Sequence, residues 1–153
     1  MKTKFIYWAN KEKRIARFEI TSLSIPVNVE ILDENLISKL KKNQEYDINI
    51  FADDAGEFNI YKDEKEYRNQ NTKTVEKSLI PIGTFQEDNQ EAYAIVSGVV
   101  SDIYKDGNSQ YIGIEFLTAY DYPMYRYCLQ NVEINNVVKG VVWLTAEENH
   151  SKQ

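Results

Sequence analysis

The sequence has little of what most catalytic and metal sites are built from, namely cysteine and histidine. It contains one cysteine, Cys128, and one histidine, His150. A lone cysteine cannot form an internal disulfide, and neither a Cys-x-x-Cys pair nor a two-histidine metal set occurs. His150 lies in a polar tail, where a general base for a serine or cysteine nucleophile would not be held rigidly. We therefore expect no disulfide framework, no zinc site and no catalytic residues, and we interpret Cys128 as a buried, inert thiol.

Long apolar runs and glycine-rich phosphate loops are also missing. The apolar run near the N-terminus, Phe5–Ala9, is shorter than the roughly 7–15 residues of a signal-peptide core, and no run approaches the roughly 20 residues of a membrane helix. The glycines are scattered, so neither G-x-G-x-x-G nor G-x-x-x-x-G-K-[ST] occurs. We expect a cytoplasmic protein with no membrane segment and no cofactor.

The charge balance is acidic. The chain has 18 Lys plus Arg against 24 Asp plus Glu, a formal net charge of −6. This charge disfavours nucleic acid at long range and suits a basic protein partner better. The acids Asp53, Asp54 and Glu57 cluster around Gly56, but their spacing does not supply the alternating oxygen ligands of a calcium loop. Turn chemistry explains this cluster, and we expect no metal site.

What is present is a pattern of alternating apolar and polar residues, which is typical of strands with one face in water. It predicts strands over 14–20 and 27–31, and a hairpin over 46–60 that turns at residues 53–56. Asp33 is a good helix N-cap, so one short helix is expected from about Glu34 to Lys42.

The densest apolar segment, residues 91–145, contains two strands that are apolar on both faces, each with a central glycine, Gly98 and Gly140. Strands covered on both sides and bent at a glycine are typical of small barrels. The segment resembles an oligonucleotide/oligosaccharide-binding (OB) barrel in pattern. We expect an α+β fold that is predominantly antiparallel β, a small partly closed barrel or sandwich with one short helix.

A single globular domain is expected over residues 1–147, because two very small domains would each lack a sufficient core. The polar segment 62–78 has few apolar residues, so a long exposed loop, a frayed helix or a linker stays open there. It is also the candidate internal boundary. Residues 148–153 are polar and are expected to form a frayed tail.

The most unusual feature is a tyrosine-rich loop. Residues 119–127 read A-Y-D-Y-P-M-Y-R-Y, with four tyrosines and an arginine. Such residues supply rigid contact area at protein interfaces, and tyrosines also form stacking platforms for single-stranded bases or sugars. Alternatively, the rings fill the end of a small barrel with their hydroxyls in water. The candidate binding residues are Tyr120, Tyr122, Tyr125, Arg126 and Tyr127.

Three functional hypotheses follow. The first is a non-catalytic protein-interaction module, such as an inhibitor or accessory subunit, with a protein partner that is basic. The alternative is an OB-like binder of single-stranded nucleic acid or oligosaccharide, although the net charge disfavours nucleic acid. The third is a small enzyme that uses a carboxylate pair. A homo-oligomer is compatible with all three.

Overall fold

A computed structural model describes residues 1–22, 24–72, 77–83, 86–115, 124–128 and 130–149. Strands dominate these residues, so the expected fold class, mostly antiparallel β in a small barrel-like arrangement with a short helix, is confirmed. The strands and helices are β1 Lys2–Asn10, β2 Ile15–Ile20, β3 Ile25–Ile31, α1 Glu34–Lys39, β4 Glu45–Tyr61, α2 Glu64–Asn71, β5 Ser78–Pro81, β6 Tyr93–Asp106, β7 Ser109–Glu115, β8 Met124–Tyr127 and β9 Val137–Glu148.

The chain divides into two compact units. The first unit contains Met1–Phe51, Pro81–Tyr93 and Trp143–Gln153, and the second contains Ala52–Ile80 and Ala94–Val142. The long strands β4 and β9 therefore contribute their two ends to different units. The expectation of one domain over residues 1–147, with its candidate boundary in segment 62–78, stays a prediction.

The first unit is a ring of five strand segments. β1 pairs antiparallel with β2, and β2 with β3. β3 pairs in parallel with the end of β9, where Glu30 faces Thr145. The start of β4 pairs antiparallel with β1, where Asp47 faces Lys2. The amide of Asn149, just after β9, donates to the carbonyl oxygen of Asp47 at 2.9 Å. The order around the ring is β1-β2-β3-β9-β4.

The short helix α1 begins where the sequence predicts. The Asp33 carboxylate accepts a hydrogen bond from the Leu36 amide at 2.6 Å, which satisfies one of the free amides of the first turn. Leu36 itself is fully buried. The helix ends at Lys39 rather than at the expected Lys42, because the Tyr46 hydroxyl donates to the Lys39 carbonyl oxygen at 2.7 Å and the next residue is extended.

The second unit is also a ring of five strand segments. β6 and β7 form an antiparallel hairpin, β7 pairs antiparallel with β8, and β8 pairs in parallel with β4 where Arg126 faces Ala52. β9 completes the ring between β4 and β6. On the β6 side, the Val100 amide donates to the carbonyl oxygen of Asn136, which immediately precedes β9. The order around this ring is β6-β7-β8-β4-β9.

The hairpin predicted over residues 46–60 is wrong, because β4 runs without a turn from Glu45 to Tyr61. Gly56 has a φ of 154°, which keeps the chain extended at the position where a turn was expected. The two ends of β4 pair with different strands, the first with β1 and the second with β8. These ladder contacts override the local turn preference of residues 53–56.

The polar segment 62–78 contains the second helix, α2. Its N-cap is Asp63, whose carboxylate accepts from the Glu66 amide at 2.9 Å. One apolar residue anchors the helix: Tyr67 is 1% exposed, and its ring packs edge-on against Tyr61 with 4.9 Å between ring centroids. A single buried aromatic side chain thus orders an otherwise polar helix.

The close approach of β9 to β4 at Gly140 gives a stability prediction. A Cβ at this position would lie 2.6 Å from Cδ1 and 2.7 Å from Cα of Phe58. We expect Gly140→Ala to lower the free energy of unfolding by about 1–3 kcal/mol, because an extra methyl group forces the two strands apart. Urea unfolding followed by circular dichroism measures the change.

The matched control for this prediction is Gly107→Asn. No atom lies within 4 Å of a Cβ at Gly107, and asparagine tolerates its φ of 61° better than most residues. We expect this variant to lose less than about 1 kcal/mol. An equal loss in both variants would show that the packing at Phe58 does not limit residue 140.

Candidate functional site

Three tyrosines of the second unit stand in register on neighbouring strands. Tyr104 on β6 faces Tyr111 on β7, and Tyr111 faces Tyr127 on β8. Directly opposed residues of antiparallel strands lie on the same side of the sheet, so the three rings form one row. Their centroids are 6.3 Å apart between Tyr104 and Tyr111 and 5.8 Å apart between Tyr111 and Tyr127.

A second row lies beside the first, two residues along each strand. It consists of Asp102, Gly113 and Tyr125, which face one another in that order. Because Gly113 has no side chain, the Tyr125 hydroxyl reaches across β7 and donates to Asp102 Oδ2 at 2.7 Å. This hydrogen bond is the main cause that raises the pKa of Tyr125, with smaller contributions from burial and from the charge of Asp102.

These two rows, together with Asp106 at the end of β6, are called the tyrosine face. Tyr104 is 55% exposed, and the other three tyrosines are half-buried. The residues on the opposite side of the same strands include Ile112 and Ile114, which are fully buried in the core. The tyrosine face is therefore an outward surface of the sheet formed by β6, β7 and β8.

A β-bulge in β6 places Asp102 and Tyr104 on the tyrosine face. Val100 pairs with Ile114 and is fully buried, whereas Asp102, two residues later, pairs with Gly113 and is exposed. In a regular strand, residues 100 and 102 would point to the same side. The register shift between them turns the end of β6 around, so that Asp102 and Tyr104 face outward.

Arg126 lies on the inner side of the sheet rather than on the tyrosine face. It is 3% exposed, and its guanidinium carbon is 3.8 Å from the centroid of the Phe58 ring. Nη2 pairs with Asp54 Oδ1 at 3.1 Å, and Nη1 donates to the Tyr127 carbonyl oxygen at 2.7 Å. Burial lowers the pKa of Arg126, and the nearby Asp54 carboxylate opposes this shift.

Next to Arg126 is a shallow cleft of about 260 Å³, lined by Asp54, Gly56, Phe58, Arg126, Tyr127 and Gln130. The charged residues that line it are Arg126 and Asp54, which form an ion pair with each other. Within the described ranges, no group of three or more His, Cys, Asp or Glu residues is placed to hold a metal ion. The cleft and the tyrosine face offer contact surface and hydrogen bonds.

The structure thus separates the residues predicted from the sequence. Tyr125 and Tyr127 lie on the tyrosine face, and Arg126 lies beneath it. Tyr120 and Tyr122 lie outside the described residues. The sequence prediction missed Tyr104 and Tyr111. Counting outward from the observed two-residue loop, Gly107-Asn108, puts Tyr104 opposite Tyr111.

The first unit has a corresponding row on β1, β2 and β3, formed by Tyr7, Arg17 and Asn28. Residues 86–92 of the same unit cover this row. The Tyr7 hydroxyl donates to the Glu87 carbonyl oxygen at 3.0 Å, and Asn28 Nδ2 donates to the carbonyl oxygens of Asn89 and Glu91 at 3.1 and 3.0 Å. Asn28 is buried beneath this segment, and Arg17 in the same row is buried as well.

Comparison of the chain with protein-family models, with curated proteins and with solved structures finds no match. In the part of the chain that the structure describes, no helix has the length and apolar character needed to cross a membrane.

The pair of Tyr125 and Asp102 predicts a measurable titration. Its raised pKa means that the protonated hydroxyl is favoured in the folded protein. The stabilising hydrogen bond is therefore present below the ordinary tyrosine pKa of about 10 and is lost as the pH rises through the higher folded value. We expect Asp102→Asn to move the pKa of Tyr125 back toward its ordinary value, since the charged acceptor is removed.

NMR titration of the tyrosine Cζ carbons measures this shift, and Tyr125→Phe identifies the resonance. Tyr104 serves as the internal control, because its hydroxyl makes no hydrogen bond to Asp102. An unchanged Tyr125 pKa in Asp102→Asn would mean that the hydrogen bond is absent in solution.

Proposed function

We propose that this protein is a non-catalytic protein-interaction module that binds its partner through the tyrosine face. The observation that carries the proposal is the row of Tyr104, Tyr111 and Tyr127, in register on an outward surface. Tyrosine supplies a large, rigid, amphipathic contact area and loses little conformational entropy on binding, because it has only two side-chain torsions. An inhibitor or an accessory subunit of the cytoplasm would bind in this way.

A purely structural role for these rings has less support. The interior of the second unit is filled by other side chains, among them Ile112, Ile114 and Tyr67, and does not need these rings. Tyr104 leaves more than half of its surface in water. Exposed aromatic side chains grouped on one surface are typical of interaction sites.

The strand order supports this location for the site. An OB fold has five strands in the ring order 1-2-3-5-4, with strands 3 and 5 parallel. In the second unit β6, β7, β8, β9 and β4 take positions one to five, and β8 and β4 are the parallel pair. OB folds bind their ligands on strands 2 and 3, which correspond here to β7 and β8.

The first unit has the same ring order, with β3 and β9 as its parallel pair. Its corresponding surface is covered by residues 86–92 through Tyr7 and Asn28. This contrast favours the second unit as the binding unit.

An OB-like binder of single-stranded nucleic acid or oligosaccharide is the second candidate, because the same tyrosines would stack on bases or sugars. The charged groups of the tyrosine face, Asp102 and Asp106, repel phosphate, as does the net charge of −6. An uncharged oligosaccharide meets no such repulsion. A small enzyme with a carboxylate pair stays the last candidate, and a homo-oligomer stays a prediction.

Partner capture with matched variants tests the proposal. The protein is used as bait in an extract of its native cell, the captured protein is identified, and its affinity is measured by calorimetry. We expect Tyr104→Ala and Tyr127→Ala each to weaken binding at least about tenfold, which corresponds to about 1.4 kcal/mol. The expected reason is the loss of buried aromatic contact area.

Tyr93→Ala is the control, because Tyr93 is also an exposed tyrosine, 38% accessible, but belongs to the first unit and packs on Trp143. It is expected to leave partner affinity unchanged. Melting temperatures of all three variants separate lost binding from lost folding. Unchanged affinity in Tyr104→Ala and Tyr127→Ala, with lowered melting temperatures, would refute the proposal.

A further inference from the structure

We propose that the tyrosine face recognises a cationic side chain of its protein partner, above all arginine, between the tyrosine rings and the Asp106 carboxylate. This inference rests on the proposed function and adds the chemistry of the group that is bound. Four observations on the second unit lead to it.

The first observation is the sign of charge on the tyrosine face. Residues 102, 104 and 106 of β6, residues 109, 111 and 113 of β7, and residues 125 and 127 of β8 share this side. Among them the only charged residues are Asp102 and Asp106. The nearest cationic residues in sequence, Lys105 and Arg126, occupy alternate positions that belong to the opposite side. The surface is therefore aromatic and negative.

The second observation is the state of the two carboxylates. Asp102 accepts the hydroxyl of Tyr125, so one of its oxygens is already engaged. Asp106 is exposed, and in the described part of the chain its carboxylate makes no ion pair or side-chain hydrogen bond. Asp106 lies two residues from Tyr104 on the same side of β6, so a cation held by Asp106 also reaches that ring.

The third observation concerns the rings. The face of a tyrosine ring carries negative charge density, and a cation within about 6 Å of its centroid is attracted to it. The row of Tyr104, Tyr111 and Tyr127 offers neighbouring rings whose centroids lie about 6 Å apart. Arginine fits such a surface better than lysine, because its planar guanidinium stacks on a ring while its edge pairs with a carboxylate.

The fourth observation is that the second unit already contains this arrangement. The Arg126 guanidinium lies 3.8 Å from the Phe58 ring centroid and pairs with Asp54 at 3.1 Å. An aromatic ring and one aspartate thus hold an arginine on the inner side of the sheet. The proposed contact repeats this chemistry on the outer side, with the arginine supplied by the partner.

The test uses four synthetic octapeptides in which glycine alternates with arginine, lysine, serine or glutamate. Each is titrated into the ¹⁵N-labelled full-length protein at about 0.1 M salt, where the Debye length is about 10 Å, and amide shifts are followed by NMR. We expect the arginine peptide to shift the amides of Tyr104, Asp106, Tyr111 and Tyr127 in a saturable way. The lysine peptide should bind more weakly there, and the other two should not bind.

Three variants establish which groups are responsible. Asp106→Asn is expected to weaken binding of the arginine peptide about threefold, and Tyr104→Ala similarly, whereas Tyr104→Phe keeps the ring and the affinity. Glu12→Gln is the matched control, because Glu12 is an exposed acid of the first unit and its removal changes the net charge by the same amount as Asp106→Asn. It should leave the affinity unchanged.

Several results would overturn the inference. Equal weakening by Asp106→Asn and Glu12→Gln would mean that the peptide responds only to net charge. Equal binding of the serine peptide at the tyrosine face would mean that the surface does not select cations. If the natural partner needs Tyr104 but tolerates Asp106→Asn, this inference fails and the proposed function stands. If the partner needs neither residue, both fail.

Discussion

The register between β6, β7 and β8 is the constraint on which the binding surface depends. A two-residue loop at Gly107 fixes which residues of β6 and β7 are opposed, and the bulge after Val100 turns the outer end of β6 to face outward. A slip of one residue would move the tyrosine rings to the inner side and expose the isoleucines instead. The buried side chains Ile112 and Ile114 therefore hold the tyrosines in place through the alternation of the strand.

Contacts on the inner side of the same strands explain how the buried Arg126 is tolerated in β8. Arg126 has an aromatic ring against its flat side, an aspartate on one nitrogen and a backbone carbonyl on another. Its Nε is buried and, among the described residues, has no hydrogen-bond partner. Such an ion pair is only weak evidence for stability, because the cost of removing the buried charge from water offsets the attraction to its partner. Here the ion pair links β8 to β4.

Much of the fold was predictable from local signals. The N-cap at Asp33 and the alternation along β2 and β3 depend on neighbouring residues, and the structure contains each of them. The hairpin predicted at residues 53–56 is wrong, because the pairing of this segment does not depend on neighbouring residues. Its turn residues carry a strong local preference, but the pairing of β4 with β1 and β8 involves partners far away in the sequence.

The candidate site was predictable only in part. Local composition predicts Tyr125 and Tyr127 as binding residues, and it includes Arg126 only because Arg126 lies between them in the sequence. Alternation along a strand places that neighbour on the other side, as the structure finds. Tyr104 faces outward only because of the bulge in β6. The parallel pairing of β8 with β4 joins Ala52 and Arg126, which are 74 residues apart in the sequence. Neither has a local sequence signal.

The most direct test of the central claim is the access of a photo-excited flavin dye to individual tyrosine rings, measured by photo-CIDNP NMR before and after the partner binds. We expect a strong Tyr104 signal in the free protein that disappears in the complex, while the Tyr93 signal persists. A Tyr104 ring that stays accessible to the dye in the saturated complex would contradict it.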